Sequence, residues 1–489
     1  DYYWLWTSEA WTWSEIPNEV VEKTGKDILL AYEALEETGK PFTLATCGWV
    51  LGPLSNPLQF DNLLPADMPF SCINRGVGYT PVDKEFRNIT QRPKWSIPWM
   101  EDDPALLSAQ LWVGRLRKDA LDSYNYGCTG LFGIHWRTRE LGPNVSALAN
   151  AAWTVDQWDT DIPDTTRDMP SGDFYLDWTR SEFGLESREL ADIFISLDSK
   201  GKESEVNVYD RDAPLVASIW DKGPGAIMTW KSYEEISEHL NRYTFLEKLE
   251  SYRSEITGAG NLERFDYWLN CFRFNKASLE AALTLKQLDR SVEKVKAFQD
   301  KAIQKEMALA EILPLRIAMT EKWETMTQIL LAKTTTTGEL GNLANLEMHN
   351  RQTLNLLNRH DVFLRELEID LTSIETPSLK YTGETRIIVT TNQSILENGN
   401  DFYLRIRVLS ESSDLSGKLK WRSLGKGKFR ELPLNRMARN VFEVNIPGSD
   451  ISEDFEYFIE VDDSRKTIVY PATSGNINQT VVLLNHSQN

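Results

Sequence analysis

Short apolar runs alternate with helical stretches over residues 1–155. The runs are YYWLWTSEAW (2–11), FTLATCGWVL (42–51), PFSCINR (69–75), KWSIPWME (94–101) and TGLFGIHWR (129–137). Between the first two runs, segment 18–40 carries apolar residues at helical spacing, which predicts an amphipathic helix. A second such helix is predicted over 104–127, ending at Gly127. Strands that alternate with helices in this way predict parallel βα units.

Candidate functional residues follow the end of nearly every predicted strand. They are Glu9, Trp49, Asn74 with Arg75, the acidic stretch 101–103, and 135–139. A (β/α)8 TIM barrel keeps its active site at this end of its strands, whereas the glycine-rich loop of a doubly wound sheet is missing from the sequence after the first run. A whole barrel takes about 250 residues. The five units are therefore predicted to be the fourth to eighth of a barrel, completed by an N-terminal segment before residue 1 or by a partner chain.

The rest of the chain changes its pattern twice. From about residue 173 the sequence is helical, and 265–313 runs without glycine or proline, which predicts a bundle interrupted at 334–352. Residues 377–484 carry short runs with turn residues between them, which predicts an antiparallel sandwich. The expected fold is thus multidomain α/β, all-α and all-β: the C-terminal part of a TIM barrel (1–160), a helical bundle domain (161–372) and an immunoglobulin- or fibronectin-like β-sandwich (373–489).

The composition of the chain limits the kinds of partner and ligand that are expected. The net charge of −20 argues against a nucleic-acid partner, which would require a basic surface. The sequence has no apolar run of 18 residues, so no membrane span is expected. Its four cysteines lack metal-binding spacing, so neither a metal nor a cofactor is expected. The 17 Trp and 16 Tyr residues fit either carbohydrate binding or large cores.

Two glutamates are the candidate catalytic residues. Glu9 and Glu101 would stand at the ends of the fourth and seventh barrel strands. Hydrolysis of a glycosidic bond uses two carboxyl groups, about 5–5.5 Å apart for retention and about 6.5–9.5 Å for inversion. Trp6 and Trp11 would pack on sugar rings and raise the pKa of Glu9. The alternatives are a surface or N-cap role for Glu9 and an N-cap role for Asp103 before Pro104, with Asp102 kept as a binding residue.

The stretch GIHWRTRE (133–140) offers further binding residues. His135, Trp136, Arg137 and Arg139 follow the last predicted barrel strand directly. Arginine guanidinium groups bind carboxylate or sulfate in a bidentate manner, so an anionic sugar is one ligand that fits. The alternative is a salt-bridge scaffold, for example between Arg139 and either the neighbouring Glu140 or the acidic stretch 101–103. Asn74, Arg75 and Trp49 complete the set of predicted substrate-binding residues.

Two segments carry a family resemblance. FYLDWTRSEFGLESRELADIFISLD (174–198) resembles the start of the helical domain that follows the barrel in α-glucuronidase-type glycoside hydrolases, especially family 115, and FDYWLNCFRFNKA (265–277) is similar to their bundle helices. The order of the three domains resembles that group as well. The resemblance implies an exo-acting enzyme on a uronic-acid-bearing or otherwise anionic polysaccharide. Ser8 stands where the retaining TIM-barrel glycosidases have asparagine. The sandwich resembles accessory domains of secreted bacterial proteins, so a secreted or periplasmic location is expected.

The sequence thus predicts a glycoside hydrolase that cleaves an anionic polysaccharide, uronic-acid-bearing or sulfated. Glu9 is the expected proton donor and Glu101 the second carboxylate. Two alternatives stay open: a non-catalytic glycan-binding or scaffold protein, and an inactive fragment or subunit of a split glycosidase. Assembly into a homo-oligomer stays open too.

Overall fold

The computed structural model describes residues 1–12, 14–49, 51–101, 109–137, 139–155, 162, 167–198, 231–374, 377–378, 380–390 and 392–484. The chain divides into two compact units. The first comprises Asp1–Trp178 and Ser187–Pro224, and the second comprises Thr179–Glu186 and Gly225–Asn489.

A parallel sheet forms the centre of the first unit. Its strands are β1 (Tyr2–Trp6), β2 (Thr43–Gly48), β3 (Phe70–Ile73), β4 (Lys94–Ile97) and β5 (Gly130–Leu131). They pair in the order β1-β2-β3-β4-β5, all parallel. The predicted parallel βα organisation is therefore confirmed, and the carboxyl ends of all five strands lie along one edge.

The sheet is curved rather than flat. The ring centroids of Trp4 on β1 and Trp95 on β4 lie 4.9 Å apart, and Tyr2 lies 5.1 Å from Trp95. Phe132, just after β5, lies 5.6 Å from Trp4. In a flat sheet, strands three positions apart would be separated by about 14 Å. Because these rings touch across two intervening strands, the face that carries them is concave.

Helices flank the sheet in the first unit. They are α1 (Asn18–Glu37), α2 (Gln59–Leu63), α3 (Val113–Asn125), α4 (Gly142–Thr154), α5 (Gly172–Phe183, whose last turn belongs to the second unit) and α6 (Arg188–Leu197). The prediction for α1 is confirmed: Val21, Ile28 and Leu35 are buried at helical spacing. The helix ends before Gly39, whose φ of 82° suits glycine.

Helix α3 begins at Val113, and its predicted start at 104 lies outside the described residues. Its first amide groups, those of Val113 and Gly114, donate to the two carboxylate oxygens of Asp198 at 3.0 and 3.1 Å. This distant carboxylate caps the helix. Burial of Asp198 raises its pKa to about 6. The predicted cap Asp103 and the binding residue Asp102 lie outside the described residues.

The helical part of the second unit has its own core. Its helices are α7 (Tyr233–Asn241), α8 (Phe245–Ser251), α9 (Ala259–Lys296), α10 (Lys301–Met307), α11 (Leu313–Lys333) and α12 (Thr337–Glu366). The run predicted to continue through 313 breaks after α9, and Asp300 caps α10. The interruption predicted at 334–352 is much shorter, because Thr336 and Glu339 form a capping box that starts α12.

Two sheets complete the second unit. One has the order β10-β9-β13-β15-β7 with β14 beside β13, and the other has the order β11-β12-β8-β6. Their strands are β6 (Arg386–Val389), β7 (Ile395–Glu397), β8 (Phe402–Leu409), β9 (Ser416–Ser423), β10 (Arg430–Pro433), β11 (Asn435–Ala438), β12 (Val441–Ile446), β13 (Phe455–Asp462), β14 (Thr467–Tyr470) and β15 (Gln479–Leu484). Pairing is antiparallel as predicted, except that β15 and β7 are parallel. Side chains from both sheets, such as Phe402 and Tyr457, share one core.

Candidate functional site

Four tryptophans lie in contact along the carboxyl edge of the parallel sheet. Trp6 ends β1, Trp49 follows β2, Trp99 follows β4 and Trp136 follows β5. Successive ring centroids are 6.3 Å apart for Trp6 and Trp49, 6.1 Å for Trp49 and Trp99, and 5.1 Å for Trp99 and Trp136. These four residues are called the tryptophan row below. Parallel strands bring residues distant in sequence to the same edge, which explains how the row is assembled.

The row is open to solvent at its two ends. Trp6 is 52% exposed and Trp136 is 46% exposed, whereas Trp99 is buried and Trp49 is half-buried. Tryptophan combines a large apolar ring surface with one N–H donor, and such surface is normally covered in a folded protein. Sequence analysis predicted Trp6, Trp49 and Trp136 as binding residues, and the structure brings them together. Trp99 was not among the predicted residues, although its position near the end of the predicted run 94–101 was a usable signal.

Buried polar atoms lie at the ends of three of the five strands. Thr7 follows β1, Asn74 follows β3 and Trp99 follows β4, and each is buried. In the described part of the chain, Thr7 Oγ1, Asn74 Nδ2 and Trp99 Nε1 have no hydrogen-bond partner. A buried polar group without a partner costs about 1–3 kcal/mol. A hydroxyl group, which both donates and accepts, would satisfy any of these atoms that it reached.

Gly78 fixes the position of Trp99. Its φ is 76°, and a side chain there would place Cβ only 2.7 Å from Trp99 Cβ. The carbonyl of Gly78 accepts from Arg167 Nη2 at 2.5 Å, and the same guanidinium nitrogen donates to Asp119 Oδ2 on α3 at 3.1 Å. Burial raises the pKa of Asp119 to about 6. The loop after β3 is thereby tied to α3 and packed against the middle of the row.

Glu101 and Arg137 form a buried ion pair behind Trp136. Oε1 of Glu101 accepts from the backbone N–H groups of Trp136 and Arg137, each at 2.7 Å, and Oε2 accepts from Arg137 Nε at 2.5 Å. Arg137 Nη1 also donates to Glu140 Oε2 at 2.5 Å. Both Glu101 oxygens are therefore occupied by protein donors. These contacts hold the segment that presents the Trp136 ring, and the predicted catalytic role of Glu101 stays a prediction.

Glu9 and Trp11 stand apart from each other. The predicted strand over 2–11 ends at Trp6, and a 3-10 helix spans Glu9–Thr12. This turn leaves Glu9 exposed and directs Trp11 inward, where its ring stacks on Phe60 at 5.3 Å. Trp11 is 3% exposed and belongs to the core, so it presents no ring face to a sugar. The proton-donor role of Glu9 stays a prediction.

The remaining predicted residues surround this edge. Arg75 Nη2 lies 3.3 Å from Asp83 Oδ2 in an ion pair. His135 is exposed and its Nδ1 donates to the carbonyl of Arg137 at 2.8 Å. Arg139 is half-buried in a short 3-10 helix, Arg139–Leu141. Asn74, Arg75 and Asp83 line a cavity of about 360 Å³.

Metal and membrane signals are missing over the described ranges. Within them, no cluster of three or more histidine, cysteine or acidic side chains could hold a metal ion. The helices in those ranges include none with the length and apolar character needed to cross a membrane.

Comparisons with known proteins give no family. No protein-family model matches the chain, and no curated protein matches it. Among solved structures, the twitchin kinase region from C. elegans is similar at 13% identity, over 45% of this chain and 42% of that one, with a TM-score of 0.16. A likeness this low carries no argument about fold or function.

Proposed function

We propose that the carboxyl edge of the parallel sheet binds a polysaccharide along the tryptophan row. The observation that carries this proposal is the row itself: four rings in contact, of which Trp6 and Trp136 are exposed, Trp49 is half-buried and the buried Trp99 packs against Trp49 and Trp136. A sugar ring has an apolar C–H face that packs on an indole ring, and its hydroxyl groups project from the rim. An extended ligand suits a row of rings better than a compact ligand does.

The buried polar atoms at the same edge support the proposal. Trp99 Nε1 and the Asn74 amide are donors, and the Thr7 hydroxyl both donates and accepts. None of the three has a partner within the described ranges. A ligand hydroxyl group that reaches one of these atoms would satisfy it, while an apolar ligand would leave it unsatisfied. The combination of apolar rings and unsatisfied polar atoms therefore favours a carbohydrate over a lipid.

The fold we infer for this unit is an incomplete TIM-type barrel. Its strands follow one another in sequential order and curve around a concave aromatic face, as barrel strands do. In such barrels the carboxyl edge is where ligands bind. Further βα units, from an N-terminal segment or a partner chain, would cover the exposed rings of Tyr2 and Phe132 on that face. For the sandwich we propose an immunoglobulin-like accessory domain.

Native gels cast with polysaccharides test the binding proposal. The panel contains neutral, uronic-acid-bearing and sulfated polysaccharides. The wild-type protein should be retarded by at least one of them, and the double variant Trp6→Ala, Trp136→Ala should migrate as in a gel without polysaccharide. Trp153→Ala is the matched control, because Trp153 is 88% exposed and outside the row. Equal retardation of the double variant and the wild type would overturn the proposal.

Hydrolysis is the second candidate function, and Glu9 favours it. This exposed carboxylate follows β1 within three residues of Trp6, at the same edge as the row. Hydrolysis requires two carboxyl groups. Glu9→Gln should stop the release of reducing ends from the retained polysaccharide while retardation in the gel persists. If the wild-type protein is retarded but releases no reducing ends, it binds the glycan without cleaving it.

A further inference from the structure

A cavity of about 360 Å³ opens beside the tryptophan row without any tryptophan in its wall. It lies between the loop after β2, the end of β3 and the loop that follows β3. Asn74 contributes to it from the end of β3, the strand between β2 and β4, and the neighbouring Ile73 both lines the cavity and belongs to the same core cluster as Trp99. Its volume falls near the lower end of the range of about 300–1,000 Å³ for small-molecule sites.

Asn74 is the polar group around which the cavity is built. Its side chain is only 3% exposed, and its Nδ2 has no acceptor among the residues that the structure describes. The backbone N–H of Asn74 donates to the carbonyl of Ile97 at 3.1 Å, which fixes the residue at the end of β3. Asn74 is one of the residues that line the cavity, so a ligand oxygen that enters and reaches this amide would supply the acceptor that Nδ2 lacks.

The charges in the wall balance one another. Arg75 and Lys84 are basic and Asp83 and Glu85 are acidic. Arg75 pairs with Asp83 at 3.3 Å, and Asp83 Oδ1 also accepts from the backbone N–H of Glu85 at 3.0 Å. An anion in this cavity would face two carboxylates, and a cation would face two basic side chains. A neutral ligand avoids both repulsions and can use donors and acceptors together.

The remaining wall is apolar. It is formed by Leu54, Pro57, Ile73, Val82 and Tyr126, together with Pro81 and Thr80. One apolar side, one buried amide donor and a rim of paired charges match the surface of a sugar, which has a C–H face and a rim of hydroxyl groups.

The geometry points to this cavity as a binding site for a single neutral sugar residue, held by the amide of Asn74. The residue is either a free monosaccharide or a branch of the polysaccharide on the tryptophan row, and the second source rests on the proposed function. The site differs from the anion-binding role predicted for Arg75, because here the guanidinium is engaged by Asp83.

Titration calorimetry with free monosaccharides tests the inference on the full chain. The panel contains neutral hexoses and pentoses and, as the charged competitor, glucuronate. At least one neutral sugar should bind the wild-type protein, and glucuronate should bind more weakly. Asn74→Ala should weaken binding about three- to tenfold, the loss expected for one hydrogen bond. Because Asn74 Nδ2 makes no protein hydrogen bond within the described ranges, this variant should keep its fold.

Two further variants keep the test decisive. Leu54→Trp fills the cavity from its half-buried wall and should abolish binding, whereas Asn150→Ala, at an exposed site on α4, should leave it unchanged. The inference is overturned if no neutral sugar binds, if glucuronate binds best, or if Asn74→Ala and Leu54→Trp both bind as the wild type does.

The double variant Trp6→Ala, Trp136→Ala separates the two proposals. It should bind the free monosaccharide with wild-type affinity while losing retardation by the polysaccharide. If the wild-type protein binds the monosaccharide but is retarded by no polysaccharide, the inference that the cavity binds a sugar holds. The proposed function of the row then fails. If Asn74→Ala lowers retardation by the polysaccharide as well, the sugar in the cavity is a branch of that polysaccharide.

Discussion

The β-sandwich and the parallel sheet differ in whether their aromatic rings are buried and whether their buried polar groups have hydrogen-bond partners. In the sandwich, Phe402, Tyr457 and Ile459 are fully buried in one core. The buried carboxylate of Asp463 accepts from Thr385 Oγ1 and from the amides of Arg465 and Lys466. At the carboxyl edge of the parallel sheet, by contrast, the rings of the row are exposed at both ends, and buried polar atoms lack partners within the described ranges.

The difference between the two regions indicates that the carboxyl edge is the part shaped for a ligand. A stable fold buries apolar surface and satisfies buried polar groups, and the sandwich follows both rules. The carboxyl edge of the parallel sheet departs from both rules. It is also the edge at which parallel sheets bind ligands. Departures of this kind are expected at sites shaped for a ligand rather than for stability alone. We therefore expect substitutions in the two regions to separate stability from binding.

The largest effect is expected in the sandwich core. Phe402 contacts Phe455 and Tyr457 with ring centroids 5.1 and 5.2 Å apart. Phe402→Ala should lower the free energy of unfolding by about 3–5 kcal/mol, because it leaves a cavity between two sheets. Urea unfolding followed by circular dichroism measures the change. Binding of polysaccharide by the folded variant should be unaffected, and a loss below about 1 kcal/mol would show that the core is loosely packed.

The next effect is a pH dependence of the first unit. Burial raises the pKa of Asp198 to about 6, above the value of about 3.9 for an unfolded chain. The folded state therefore binds this proton more tightly, and stability should fall as the pH rises from about 4 to about 6 and then level off. The contribution of Asp198 is up to about 3 kcal/mol. Asp119, with a similarly raised pKa, titrates in the same window.

Asp198→Asn isolates this contribution. The variant should lose part of the slope between pH 4 and 6 while Asp119 maintains the rest. Unfolding midpoints in urea at several pH values provide the measurement. An unchanged slope in the variant would mean that Asp198 does not titrate in this range.

Glu101→Gln should cost about 2 kcal/mol of stability, because it weakens charge-assisted hydrogen bonds to Arg137 and to two backbone amides. It should also weaken polysaccharide binding, since these bonds position Trp136. If the variant is as stable as the wild type but inactive in hydrolysis, Glu101 is catalytic after all.

The smallest effect on stability is expected at the row itself. Trp6→Ala removes an exposed ring and should change the free energy of unfolding by less than about 0.5 kcal/mol. Its effect on polysaccharide affinity should be about tenfold or more, as for an aromatic residue that carries a large share of the binding energy. The pair of measurements contrasts with Phe402→Ala, which should affect stability alone.

The sequence predicted elements whose determinants are local. The apolar runs located all five parallel strands, and helical spacing located α1. The start of α3 could not be predicted, because the cap comes from Asp198, 85 residues along the chain from Val113. Trp11 was misplaced because the 3-10 turn at Glu9–Thr12 turns it away from the strand direction.

The sequence predicted part of the candidate site, as it predicted part of the fold. Trp6, Trp49 and Trp136 were found because each stands at the end of a strand. A salt bridge from Arg139 to the acidic stretch 101–103 was an open alternative, but the pairing of Glu101 with Arg137 was not predicted, since it depends on a contact between residues 36 positions apart. The unsatisfied atoms of Thr7, Asn74 and Trp99 were also beyond sequence reasoning, because whether a polar atom has a partner depends on the whole fold.

Hydroxyl-radical footprinting with mass spectrometry tests directly whether the tryptophan row binds the polysaccharide. The protein is labelled with and without the polysaccharide that retards it in gels, and oxidation is compared at individual tryptophans. We expect protection of Trp6 and Trp136 and unchanged oxidation of the exposed Trp153 in the same sample. Unchanged oxidation of Trp6 and Trp136, or protection of Trp153 alone, would contradict the claim that the row binds the polysaccharide.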